Sequence, residues 1–283
     1  MERLVDAVYL SRNDVTNLQR KLIGKGTDGS VYDVGNGYLY KIYHAGSLFS
    51  DIKVQHPLLD DYEDDVKIYQ MQNSLKLNRK ESHFRYMDRD GVRITGEEAI
   101  YRAIQRQKYI HYTQLPLAPI YVNSRFKGCV LKKHSFHFQL YSFSFLSLEK
   151  KKRLLSLIVD RVEELVQYYI YPLDVFNRPN EKSLSHSNIL VSLRGIPELI
   201  DVDGASTVYL EETSSNLLFE TLNSLNILVL EYLYDLEIPD EMLDEDILEL
   251  EQFLFKRGIS EKFVSDLAHQ EADFSTLRKI LKR

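Results

Sequence analysis

At 283 residues the chain can bury a substantial core, as one two-lobed unit or as two small domains. A formal net charge of −6 argues against a general nucleic-acid binder. The single cysteine, Cys129, excludes an intrachain disulfide and, with no C-x-x-C pair or Cys/His cluster, speaks against structural zinc.

From the N-terminus, Met1 to Asp6 carry no signal-peptide apolar run, and no uncharged stretch reaches bilayer length. A cytoplasmic protein without a membrane span is expected. Leu4, Val5, Val8 and Tyr9 give residues 1–20 a mixed helical pattern, read as a short helix ahead of the first strand. Leu22-Ile23 and Val31 to Val34 read as strands flanking the glycine-rich stretch Gly24-Lys25-Gly26-Thr27-Asp28-Gly29. Asn36-Gly37 is a type I′ hairpin signal, and Tyr38 to Tyr43 is the returning strand. The chain is then charged and irregular to about Arg93. Its acidic run, Asp60-Asp61-Tyr62-Glu63-Asp64-Asp65, reads as a solvated surface.

Thr95-Gly96-Glu97-Glu98 caps a helix carrying Ala99, Ile100, Ala103 and Ile104 and running to about Ile110. Residues 115–122 and 128–131 read as a β-hairpin turning over Asn123 to Lys127. Leu148 opens the strongest helical pattern, with Leu154, Leu155, Leu157, Ile158, Val162, Leu165 and Val166 repeating through about Tyr169 until Pro172 ends it. Two short apolar strands, Ser187 to Val191 and Glu198 to Gly204, bracket a turn at Arg194-Gly195. They put Asn188 and Asp201 at corresponding strand ends. The tail is expected to be helical over 217–234, 241–255 and 260–267. Strands first and helices after predict an α+β chain with a small sheet lobe and a helical lobe.

The chemistry lies in two places. Gly24, Gly26 and Gly29, at G-x-G-x-x-G spacing, let a turn run close over phosphates because no Cβ stands in the way. A dinucleotide-binding loop would open a helix, whereas this one lies inside a hairpin with Lys41 on the next strand. Downstream, the Asn188 amide oxygen and the Asp201 carboxylate make a hard-oxygen pair suited to Mg²⁺ carrying substrate phosphates. A glycine-loop hairpin, a lysine strand, a long helix, N-I-L-V and I-D-V-D-G follow one another in kinase order. Over most of its length the chain thus resembles protein kinases and aminoglycoside-phosphotransferase-type kinases. The I-D-V-D form is most similar to that of some bacterial eukaryote-like kinases.

The resemblance implies a bilobal kinase-like fold, with an N-lobe over 1–131 that includes an insertion and a helical C-lobe over 132–283. It implies that Gly24, Gly26 and Gly29 cover the phosphates of ATP and that Val31 packs on the adenine. Lys41 would pair with the α- and β-phosphates, and Asn188 and Asp201 would hold Mg²⁺. Glu97 or Glu98, with Glu63 as the alternative, would partner the lysine. Leu131-Lys132-Lys133 would form the hinge, offering backbone groups to adenine.

The pattern departs from kinases where the proton is handled. Ser183 stands five residues before Asn188, where kinases carry the catalytic aspartate. A serine cannot take a hydroxyl proton at neutral pH as a carboxylate does. His186 and Glu181 could substitute, although a solvent-facing loop histidine is the plainer reading of His186; Asp203 reads as part of the metal motif. No A-P-E-like segment follows Gly204, which speaks against ordinary peptide phosphorylation, and Asp28 in the glycine loop is read as tolerated. Three readings follow. One is a pseudokinase that binds ATP and Mg²⁺ and acts through a protein partner. Another is an atypical phosphotransferase or nucleotidyl transferase on a protein or small-molecule acceptor. The last is a scaffold without nucleotide. Lys41, Asn188 and Asp201, retained beside a missing base, favour the first.

Overall fold

The computed structural model describes residues 7–25, 29–44, 85–87, 93–95, 100, 103–106, 109–111, 113–168, 170–172, 188–202, 207–209, 215–236, 238 and 242–282. The chain forms two compact units. The first comprises Met1–Ser135 together with Asp201–Leu210, and the second comprises Phe136–Ile200 together with Glu211–Arg283.

The first unit is built on a six-stranded sheet. Its strands are β1 (Val8–Leu10), β2 (Leu22–Lys25), β3 (Gly29–Gly35), β4 (Tyr38–Tyr43), β7 (Ala118–Val122) and β8 (Arg125–Lys132), in the order β1-β7-β8-β4-β3-β2. The separate pair β5 (Arg85–Met87) and β6 (Arg93–Thr95) is antiparallel. Val8 and Tyr9, helical by their sequence pattern, instead pair in parallel with Ile120 and Tyr121 of β7. A β-branched and an aromatic residue suit that edge. The helix α1 (Arg12–Leu18) comes after this strand, and Ser11 and Asp14 close a capping box at its start. Leu18 at its end packs with Tyr32, Ile42, Ala118, Ile120 and Val130 from one face of the sheet. Burying each such aliphatic side chain is worth roughly 1.5–3 kcal/mol.

Asn36 and Gly37 both have positive φ, at 53° and 81°, as a type I′ turn requires. The β7–β8 turn is tighter than the expected five residues. Asn123 and Ser124 alone make it, at φ 48° and 63°, and Arg125 already pairs with Val122. The predicted helix beyond Thr95 is seen at 100 and 103–106 and ends before Ile110, where the Tyr109 amide donates to the Arg106 carbonyl at 2.9 Å.

In the second unit α2 (Leu148–Gln167) buries Leu154, Leu155, Ile158, Val159, Val162, Leu165 and Val166 at helical spacing. It stops at a Tyr168 cap whose amide bonds the Leu165 carbonyl. Pro172 therefore lies in a following strand, β10 (Ile170–Pro172), rather than at the helix end. A three-stranded sheet has the order β12 (Pro197–Leu199), β11 (Ile189–Ser192), β9 (His137–Gln139). Gly195, at φ 74°, turns the β11–β12 hairpin at the expected position. The remaining helices are α3 (Ser215–Tyr234), α4 (Asp244–Lys256), α5 (Glu261–Ala268) and α6 (Phe274–Leu281). Asn226, which interrupts the apolar run of α3, is buried and donates to the Leu222 and Ala272 carbonyls at 2.7 and 2.9 Å. Among the described residues no helix is long and apolar enough to cross a membrane.

Candidate functional site

Lys41 sits on β4 in mid-sheet, between β3 and β8. The register sets Val31 opposite it on one side and Cys129 on the other. The row two residues along β4 is Asp33, Leu39 and Leu131. Directly paired residues project to the same face of a sheet. Val31, Lys41 and Leu131 therefore share one face, and the alternate residues Tyr32, Ile42 and Val130 supply the apolar core against α1.

The Lys41 side chain is only 7% exposed, and its ammonium donates to the carboxylate of Asp201, which is 43% exposed. The two residues are 160 apart in sequence and belong to the same compact unit. Asp201 holds a left-handed backbone, φ 61°. That conformation costs an L-residue roughly 1–2 kcal/mol, and aspartate is among the residues that tolerate it best. On the same strand as Lys41, the Tyr43 ring centroid lies 5.7 Å from the ammonium, and the Tyr43 hydroxyl is 3.6 Å from the Cys129 sulfur.

The glycines divide by cause. A Cβ on Gly29 would stand 2.8 Å from the Ile42 carbonyl oxygen, so the sheet itself demands glycine there. Gly24 faces open space, with nothing within 4 Å of such a Cβ. A third glycine, outside the G-x-G-x-x-G motif, is the most constrained. A Cβ on Gly128 would lie 1.9 Å from the Lys41 carbonyl oxygen, so only glycine lets β8 close on β4 at the lysine. Its signal in the sequence is an isolated glycine within a strand pattern, which marks close backbone approach. Ser30, next to Gly29, is buried, and its hydroxyl lies 2.9 Å from His44 Nε2, a polar pair that spacing does not suggest.

The stretch expected to serve as hinge is bonded within the first unit. Leu131 pairs with Leu39 in the sheet, and the Lys132 carbonyl accepts from Gln114 Nε2 at 2.6 Å. The Lys133 amide donates to the Gly37 carbonyl at 2.8 Å, and its ammonium donates to Asp33 at 2.6 Å. The amide and the ammonium of Lys133 are thus already engaged. The bond from Lys133, followed by that from the Gly35 amide, holds the Asp33 carboxyl below its ordinary range.

In the second unit the Asn188 carbonyl accepts from the Ile200 amide at 2.9 Å, closing the β11–β12 hairpin one residue ahead of Asp201. Gly26, Asp28, Glu63, Glu97, Glu98, Glu181, Ser183, His186 and Asp203 lie outside the described residues.

No protein-family model matches the sequence. No curated protein matches it either. In structure the chain is similar to an apo pseudokinase, with a TM-score of 0.51 and 10% identity over 98% of this chain and 98% of that one. At that identity the likeness is one of fold. The chain has a kinase-like α+β fold, with a β-sheet part first and a helical part after it.

Proposed function

We propose that this kinase-fold protein is a pseudokinase, one that binds ATP with Mg²⁺, lacks the usual catalytic base and acts through a protein partner. The observation that carries this reading is the Lys41–Asp201 ion pair. The strand lysine and the metal-motif aspartate, which belong to separate motifs with separate roles, meet in one unit. Each is the other's counter-charge. Nucleotide binding would exchange those partners, the ATP phosphates replacing the Asp201 carboxylate at Lys41 and Mg²⁺ replacing the ammonium at Asp201. Such an exchange spares either group a move from water into protein, which is the costly step for a charge.

One carboxylate and one amide oxygen, Asp201 and Asn188, are the hard donors Mg²⁺ prefers, with substrate phosphates and water completing its shell. The metal would supply charge neutralisation along the phosphates. Val31 and Leu131, on the lysine face of the sheet, are the apolar residues for the adenine. Ser183 at the base position is the reason for placing binding ahead of turnover. Phosphoryl transfer draws mostly on positioning and electrostatics, so the atypical phosphotransferase or nucleotidyl transferase is the second reading. It shares the same nucleotide site. Within the fold, the I-D-V-D sequence favours the bacterial eukaryote-like branch.

Thermal unfolding with and without ATP and Mg²⁺, followed by intact-mass analysis, separates these readings. The expected result is a magnesium-dependent rise in Tm with unchanged mass. Ligand at about 100 times its Kd adds about 2.7 kcal/mol of stability. A gain of phosphate or AMP on the protein would make it a transferase. No shift at millimolar ATP would remove the nucleotide site.

A further inference from the structure

We infer that the second unit carries a binding site for a phosphate monoester, distinct from the Lys41 site, in the cavity bordered by α2, α3, the α4–α5 turn and α6. The cavity measures ≈ 220 Å³ and is lined by Lys152, Tyr234, Asp235, Arg257 and Ser260 over an apolar floor that includes Ile280. Pockets for drug-sized ligands generally measure about 300 Å³ or more, so this space suits a phosphate group with a few further atoms.

The charge of the lining favours an anion. Asp235 is its one carboxylate, and Asp235 Oδ1 already accepts from the buried ammonium of Lys151 at 2.9 Å. That leaves Lys152 and Arg257 as the cations of the lining. Lys152 is 14% exposed, and its contact to Glu149 is long, 3.4 Å, with that glutamate 79% exposed and screened by water. The Arg257 guanidinium lies over the Phe253 ring, 4.9 Å from its centroid, which holds it in place at the end of α4. Two hydroxyls join them. Ser260 precedes α5 and makes no capping bond with its side chain. Burial pushes the Tyr234 hydroxyl up to about 12, so it keeps its proton at neutral pH. Glu261, in the first turn of α5, is not among the lining residues. Two cations and two hydroxyl donors around a small cavity match the oxygens of a phosphate monoester better than those of a single carboxylate.

The ligand is either a small phosphorylated metabolite or a phosphorylated side chain of a polypeptide. Calorimetric titration of the full chain with O-phosphoserine and with a short phosphoserine peptide tests both. Saturable binding is expected, weakened about tenfold or more by Arg257→Gln and by Lys152→Gln and unchanged by Lys41→Met. Two variants are used because Arg257 also packs on Phe253. Tighter binding of the peptide than of the amino acid identifies a polypeptide ligand, and equal or weaker binding identifies a small one. No saturation up to about 10 mM, wild-type affinity in both variants, or loss in Lys41→Met would each overturn the site. The ATP response is read at Lys41 and Asp201, neither of which lines this cavity, so either site can fail alone.

Discussion

Lys41 shows how one residue's surroundings set what it can do. Its ammonium is buried and its partner carboxylate is half exposed, so the two ends of the pair do not contribute equally. Taking the carboxylate away leaves a desolvated charge, whereas taking the ammonium away leaves an aspartate that water reaches. Lys41→Met, which keeps the apolar stem, and Asp201→Asn are both expected to abolish the ATP·Mg²⁺-dependent rise in Tm. Asp201→Asn is expected to cost the unliganded protein more, on the order of 1–3 kcal/mol in chemical unfolding. Wild-type ATP affinity in both variants would mean that neither residue serves a nucleotide.

At the scale of elements, helix α6 separates packing from charge. Leu277 and Ile280 are buried, and Arg278 reaches Asp160 at 2.7 Å and also bonds Glu163, both on α2. The ions are partly solvated, so Arg278→Ala is expected to cost about 1 kcal/mol or less, against about 2–5 kcal/mol for Leu277→Ala. Urea unfolding of the two variants decides the order. Periodicity does not single this helix out, because its apolar face, Leu277, Ile280 and Leu281, is shorter than the windows in which a helical repeat stands out. Elements with strong local chemistry are legible: the Asn36-Gly37 hairpin, the long α2 and the β11–β12 hairpin. What is not legible depends on partners far along the chain. Val8 to Leu10 become a strand only because β7 lies beside them. The Lys41–Asp201 contact joins two motifs that spacing alone can only place in order.

For the whole molecule, three carboxylates among the described residues link stability to pH. Bonds from Ser11 lower Asp14, the bond from Lys133 lowers Asp33, and bonds from the Thr276 amide and side chain lower Asp273. A folded-state pKa below the unfolded value means that the stabilisation is complete above the ordinary carboxylate range, near pH 4, and is lost as pH falls through the folded values. The midpoint of chemical denaturation is therefore expected to fall between pH 5 and about pH 2. Asp273→Asn keeps a capping side chain but removes one titration, so its midpoint should fall less. An equal fall would assign the acid sensitivity elsewhere.

The first unit is assembled from two separated stretches of polypeptide, the second being Asp201–Leu210. During translation the ribosome completes Ser135 well before Asp201. Lys41 and Asp201 are 160 residues apart, so at about 5–20 residues per second the lysine exists for roughly 8–32 s before its carboxylate is made. A fragment ending at Ser135 would leave the exit tunnel without Asp201, so the isolated N-terminal piece is not a fair substitute for the intact unit.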